Sequence, residues 1–234
     1  NFSRNSISNP IYTRRGSAFT FSLQITPPYS AFSKLKGEER DNYYKSLPLE
    51  EKNKLIEYHK WKFSAKTFTP LTKDEKFVLM ARAEFGFLGY FNKYKQSPFG
   101  KFVVGGDGMS GYSSAGTETI GLRGYESGAL TPTSSDGWYN GNLYTRLTLE
   151  FRYPILLNQT TNIWALAFLE AGNCWSDFKK FNPFDLKRAA GVGIRLYLPM
   201  FGLLGIDWGY GFDKINGSKE YSGSNWTFVL GQEF

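Results

Sequence analysis

Eight segments of this chain alternate apolar and polar side chains with a period of two, and short and long connections alternate between them. The segments are Ser17–Thr26, Trp61–Pro70, Phe77–Phe87, Gly141–Tyr153, Asn162–Asn173, Arg188–Leu198, Leu203–Phe212 and Trp226–Phe234. Short connections are 71–76, 154–161 and 199–202, and long ones are 27–60, 88–140, 174–187 and 213–225. A period of two predicts β-strands. The chain is therefore predicted to be all-β and antiparallel, with short turns on one rim and long loops on the other.

This asymmetry of the rims is typical of outer-membrane β-barrels, which have short periplasmic turns and longer external loops. Alternation alone does not tell the inside of a barrel from its outside, so a soluble β-sandwich or lipocalin-like barrel is the alternative. The loop asymmetry and the aromatic C-terminus favour a transmembrane antiparallel β-barrel. In this interpretation the four long loops are external, and the last strand ends at the periplasmic rim of the bacterial outer membrane.

Composition narrows the classes of function. Mean hydropathy is −0.39, as expected where lipid-facing and lumen-facing residues cancel. The net charge is +7, but the basic residues are spread along the chain apart from one dense stretch at 34–62, so no nucleic-acid partner is predicted. A single histidine, His59, and a single cysteine, Cys174, argue against a His-based triad, a metal site or an intrachain disulfide. No enzymatic activity, cofactor or metal is predicted.

The polar faces of the predicted strands carry charges that suit a wet lumen, namely Arg146, Glu150, Arg152 and Arg195. Aromatic residues crowd the strand ends, as an interfacial girdle requires. Within the first long loop, Leu49–Tyr58 follows a proline and is predicted to form a short helix.

The chain ends in a motif of its own, in the predicted last strand that begins at Trp226. Phe228, Gly231 and the terminal Phe234 resemble the β-signal of outer-membrane barrels. That signal is read by assembly machinery as an edge strand with which to pair.

A second motif lies in the long connection 88–140. Ile120-Gly121-Leu122-Arg123-Gly124-Tyr125 resembles the VRGF/Y motif of the outer-membrane protein insertase superfamily, which includes the BamA-type insertases, and Phe102–Gly106 resembles the approach to it. Phe168-Leu169-Glu170-Ala171-Gly172 resembles the acidic strand motif of the same superfamily, which more often has Asp where this chain has Glu170. The resemblance implies that the loop folds into the lumen and that Arg123 contacts Glu170. Arginine offers a planar fork that suits such a pair.

A third match lies near the beginning of the chain. Arg4-Asn5-Ser6, Tyr12 and Gly16-Ser17 resemble the segment that enters the ninth strand of the superfamily's sixteen-stranded barrel. The resemblance then implies that residues 1–234 are the last eight strands of such a barrel, and that the periplasmic POTRA domains and the first barrel half are absent. The Lys- and Tyr-rich composition suggests a Bacteroidota source.

The resemblance implies an outer-membrane protein insertase that opens laterally at a weak seam beside the last strand. Its partners would be nascent outer-membrane proteins, the lipid bilayer, and accessory lipoproteins or surface-exposed subunits. The alternative within the superfamily is a transporter barrel, for two-partner secretion or for a fused surface enzyme. The domains upstream of residue 1 would distinguish the two. A soluble enzyme is the third hypothesis, which dependence on detergent for solubility would test.

Overall fold

The computed structural model describes residues 1–96, 99–108 and 116–231, and its main element is an antiparallel sheet of nine strands. The strands of this sheet are β1 (Phe2–Asn5), β2 (Gly16–Ile25), β3 (Tyr58–Pro70), β4 (Val78–Tyr90), β7 (Leu143–Leu157), β8 (Asn162–Trp175), β9 (Lys187–Leu198), β10 (Gly202–Lys214) and β11 (Tyr221–Leu230). All eight predicted strands are present. The additional strand is β1, which the sequence indicated only as part of a turn-and-strand segment.

The strands follow one another in chain order across the sheet, so each pairs with its neighbour along the chain apart from the long excursion between β4 and β7. The edges are therefore the four-residue β1 and the ten-residue β11. No helix in the described ranges is long and apolar enough to cross a membrane.

The two faces of the sheet have the opposite polarity to those of a soluble barrel. On the outer face, large apolar side chains are open to the surroundings: Leu147 is 43% exposed and Leu169 is 51% exposed. On the inner face, Glu150, Glu170 and Asp207 are almost fully buried. Because apolar surface this extensive is costly in water, the outer face is built for lipid. This observation excludes the soluble sandwich and lipocalin-like alternatives.

The connections depart from prediction most clearly in the first and the last of them. The predicted helix Leu49–Tyr58 is only the single turn α2 (Leu49–Lys52), and the longer helix of that loop is α1 (Gly37–Ser46), which was not predicted. The last connection was predicted at 213–225 but spans only 215–220, because β10 and β11 extend further into it. Helix α1 was missed because it has almost no apolar stripe, with only Tyr44 buried.

The loop between β4 and β7 carries a small parallel sheet of β5 (Phe102–Val104) and β6 (Glu118–Ile120). The nine-stranded sheet is referred to below as the wall. Side chains of the small sheet and of the wall form one apolar cluster that includes Phe102, Val104, Leu122, Tyr125, Leu130, Tyr144 and Cys174. Backbone bonds continue the pairing towards the motif, from Gly105 N to the Ile120 carbonyl (3.0 Å) and from Leu122 N to the Gly106 carbonyl (3.0 Å). The Phe102–Gly106 segment is thus the scaffold that holds the motif inside the wall.

Near the other rim, the segment between β1 and β2 folds against the inner face. Tyr12 is buried, packs edge-on against Trp164 at 5.7 Å, and donates a hydrogen bond from its hydroxyl to the Lys76 carbonyl (2.9 Å). Burial of that hydroxyl raises the pKa of Tyr12 to about 12. This tyrosine therefore ties the entry segment to the turn between β3 and β4.

Candidate functional site

Arg123 stands at the centre of a buried cluster of charges on the inner face. Its guanidinium reaches Glu170 on β8 (2.8 Å from Nη2 to Oε1), Glu150 on β7 (3.0 Å) and Asp207 on β10 (3.3 Å). Its backbone N–H also donates to the second oxygen of Glu170 (2.8 Å). The guanidinium lies over the ring of Phe168 at 3.7 Å, within the range of a cation–π contact. One loop residue thus bridges three strands of the wall.

Three further arginines complete the cluster from the wall itself. Arg195 pairs with both oxygens of Asp207 (2.6 and 2.7 Å), and Arg152 donates to Glu150 (2.6 Å). Arg146 donates to Glu170 (2.9 Å) and lies 3.4 Å from Glu84. In these contacts four guanidinium groups meet four carboxylates, so each buried carboxylate has a cationic partner. This pairing matters because an unpaired buried charge costs several kcal/mol, whereas a fully paired one roughly breaks even.

The sequence suggested a wet lumen at these positions, and the structure corrects that expectation. Arg146, Glu150, Arg152 and Arg195 do face inward, but the last three are 6% exposed or less. Each side chain is satisfied mainly by an opposite charge. The arrangement is a buried ionic contact between the loop and the inner face of the sheet.

The loop can approach the wall this closely because glycines face it. Gly124 has a φ of +85°, and a side chain there would meet the backbone of Gly211 at 3.1 Å. A side chain at Gly209 would meet Gly124 N at 2.8 Å. Glycine alone accommodates both the left-handed conformation and the close backbone contact. Gly209 and Gly211 of β10 therefore form the surface against which the motif packs.

Tyr125 completes the motif on the other side of Gly124. Its ring is fully buried, and its hydroxyl donates to the Arg188 carbonyl on β9 (2.8 Å) and accepts from Asp213 N (3.4 Å). Burial is the largest influence on this phenol and raises the pKa of Tyr125 to about 12. Leu122, on the near side of Arg123, is also fully buried and belongs to the apolar cluster.

The structure brings the loop motif and the strand motif together. Phe168 lies beneath Arg123, Glu170 pairs with it, and a side chain at Gly172 would meet the Thr145 carbonyl at 2.7 Å and Leu122 at 3.2 Å. Residues 122–125 thus pack against Phe168, Glu170 and Gly172 of β8.

The predicted seam residues lie elsewhere, on the edge strand. Trp226 and Phe228 are 63% and 61% exposed on the outer face of β11. Gly231 was predicted inside the last strand, but β11 ends at Leu230, and Gly231 follows it with a φ of +95°. Its N–H donates to the Leu203 carbonyl (2.8 Å). Phe234 lies outside the described residues.

Sequence reasoning did not assign Asp207 or Glu150 as partners of Arg123. Asp207 sits in the run Gly205-Ile206-Asp207-Trp208-Gly209, a charge among glycines on an inward face. That pattern was a usable signal, because small neighbours leave room for a group from another element to reach the charge. The described residues hold no group of three or more His, Cys, Asp or Glu side chains that could bind a metal.

The small sheet is attached to the wall by a second, more accessible ionic contact. Glu118 of β6 pairs with Lys60 (2.9 Å) and Lys62 of β3. Burial alone would raise the pKa of the Glu118 carboxyl, but the hydrogen bonds from the two lysines outweigh it and hold the pKa below its usual value. Such a group stabilises the folded state above the ordinary carboxylate pKa, and the stabilisation is lost as the pH falls through the lower folded value.

We therefore expect Glu118→Gln to lower the free energy of unfolding by about 1–2 kcal/mol at neutral pH. The difference from wild type should shrink as the pH falls below about 4, where the unfolded carboxylate protonates. Thermal unfolding in detergent at a series of pH values measures both. Glu39→Gln, an exposed change on α1, is the control. A difference that is constant across pH would contradict the ionic origin of the contact.

The sheet has an ionic cluster on its inner face, apolar side chains on its outer face and a loop folded against the inner face. These features define part of a β-barrel of the outer-membrane type. The Omp85 superfamily domain matches residues 1–234, and the chain belongs to that superfamily. Its location is accordingly the outer membrane.

A solved structure shows the same fold. BamA from Haemophilus ducreyi lacking POTRA domains 1–3 superposes with a TM-score of 0.61 at 16% sequence identity. The match covers 97% of this chain and 41% of that one, so this chain spans less than half the length of that relative. No curated protein matches the sequence.

Proposed function

We propose that this chain is the C-terminal half of the barrel of an insertase, which folds β-barrel proteins into the outer membrane. The observation that carries the proposal is that ion pairs from Arg123 to Glu170 and Asp207 fix the loop to the inner face of the sheet, in a chain of the Omp85 superfamily. Superfamily membership and the likeness to BamA from Haemophilus ducreyi support it. Nascent outer-membrane proteins and the surrounding lipid would be its partners, with accessory lipoproteins or surface-exposed subunits.

The proposed mechanism uses strand pairing and involves no bond chemistry. An edge strand presents unpaired N–H and C=O groups that an incoming strand can extend. In the whole barrel, β11 would meet the first strand at a seam, with its end at the periplasmic rim. Exposed Trp226 and Phe228 would place bulky aromatic side chains in the lipid beside that seam. Opening there gives a nascent strand both a template and a route into the bilayer.

A disulfide across the seam tests this mechanism. We expect Thr227→Cys, joined to a cysteine at the facing position of the first strand of the full-length barrel, to abolish insertion of barrel substrates into proteoliposomes. Reduction should restore insertion, because only lateral opening is blocked. Cys174→Ser removes the native thiol, which is buried, from this part of the barrel.

The matched control is a disulfide that leaves the seam free. Ile206 and Phe228 are direct partners across β10 and β11, so Ile206→Cys with Phe228→Cys links two strands that stay together. That variant should insert substrates under oxidising conditions. Normal insertion by the seam-locked barrel would contradict lateral opening. Failure of the unlocked barrel to insert any substrate would favour a transporter barrel of the same superfamily.

A further inference from the structure

The carbonyl oxygen of Gly124 receives two hydrogen bonds from side chains of the edge strand. Ser222 Oγ donates to it at 2.6 Å and Asn225 Nδ2 donates at 3.0 Å. Gly124 directly follows Arg123, the residue that bridges β7, β8 and β10. The last strand is therefore attached by its side chains to the loop, in addition to its backbone pairing with β10.

The reach of Asn225 depends on the glycine beside it. Asn225 is the direct partner of Gly209 across the β10–β11 pair, on the inner face. Any side chain at Gly209 would occupy the space in which Gly124 sits. Because Gly209 has none, Gly124 lies close enough to the wall for an asparagine one strand away to reach its carbonyl.

Ser222 reaches the same oxygen through an irregularity of the strand. The register between β10 and β11 shifts between Gly211 and Lys214. Such a shift bends a strand and redirects its side chains. The Asn225 amide also lies within hydrogen-bond distance of the Ser222 hydroxyl (3.2 Å), so the two donors are held side by side.

The connection between β10 and β11 adds a third polar attachment. Asn216 Nδ2 donates to the Leu130 carbonyl (2.7 Å) in the β4–β7 loop, and to Asn173 Oδ1 (2.9 Å) on β8. The hairpin is thus held to the loop on both sides of the turn. These attachments all lie towards the turn, whereas Thr227 and Val229 extend towards the other end of β11.

We infer that Ser222 and Asn225 are positioning residues that couple the Arg123 loop to the edge strand. With the loop seated on Gly209 and Gly211, the Gly124 carbonyl holds the first half of β11 against the wall. When the loop moves away, both bonds break together and that half of the strand is released. The significance for insertion rests on the proposed function, but the coupling itself can be measured without it.

The test is hydrogen–deuterium exchange of backbone amides in full-length protein in lipid nanodiscs. Because Ser222→Ala with Asn225→Ala removes both hydrogen bonds, the double variant should speed exchange in β11 by about tenfold or more. Ser222→Thr keeps the hydroxyl and should remain close to wild type. The control Ser224→Ala removes a hydroxyl that accepts from Trp208 on the outer face (2.8 Å) and should not change exchange in residues 122–125.

Faster exchange confined to β11 and to residues 122–125 supports the coupling. Exchange equal to wild type would overturn it, and so would an equal rise in β7 and β8, which indicates general destabilisation. Insertion of a barrel substrate is measured on the same samples. If exchange rises as expected while the wild-type protein inserts nothing, the coupling stands and the proposed function fails.

Discussion

Replacing Arg123 with alanine should lower the unfolding temperature more than any other single charge removal in the cluster. The variant leaves Glu170, Glu150 and Asp207 buried with one cation fewer among them. Breaking a buried ion pair from one side costs about 3–5 kcal/mol. For a chain of this size each kcal/mol corresponds to about 2–4 °C. The expected loss is therefore about 10 °C, which the temperature dependence of circular dichroism in detergent measures.

Two variants separate the buried network from a simple loss of charge. Arg188→Ala removes an arginine whose ion pair with Asp213 is exposed (2.9 Å, with the arginine side chain 68% exposed), so its unfolding temperature should change little. Arg123→Lys keeps the charge but loses the planar fork, so it should fall between wild type and Arg123→Ala. Equal unfolding temperatures for Arg123→Ala and Arg188→Ala would contradict the network.

Much of the wall was predictable from the sequence because its signals are local. Period-two alternation located β2, β3, β4 and β7 to β11, because a strand with one face towards lipid must alternate along its whole length. The predicted ends of the strands were less accurate. Strand β3 begins at Tyr58 rather than Trp61, and β11 begins at Tyr221 rather than Trp226, because pairing with neighbouring strands extends them beyond the alternating pattern.

The site was predictable only in part, since its contacts join residues far apart in the chain. The pair of Arg123 and Glu170 came from resemblance to a family, and the structure brings the two side chains together. Asp207 stood out among its glycine neighbours, but neither it nor Glu150 could be assigned to Arg123 from the sequence, because the pairing depends on which strands lie beneath the loop. The hydrogen bonds from Ser222 and Asn225 could not be predicted either, since they depend on a register shift and on the position of the Gly124 carbonyl group.

Filling the space at Gly209 should expel the loop from the wall without removing any charge. A leucine there would place its Cβ 2.8 Å from Gly124 N and 3.3 Å from the ring of Phe168. The first of these neighbours is backbone and cannot rotate away, so either the loop or β10 must move. Overpacking of this kind usually costs about 1–3 kcal/mol. The loop should move, because β10 is fixed by pairing with strands on both sides.

We expect full-length Gly209→Leu in planar bilayers to show higher ion conductance than wild type, since the displaced loop no longer fills this side of the lumen. A cysteine replacing buried Leu122 should at the same time become reactive towards a soluble maleimide. Tyr210→Leu, one residue along on the outer face and 42% exposed, introduces the same side chain towards lipid and should alter neither signal. The prediction is contradicted if the Gly209→Leu barrel has wild-type conductance and a cysteine at position 122 stays unreactive in it. The loop would then not depend on packing against the glycines of β10.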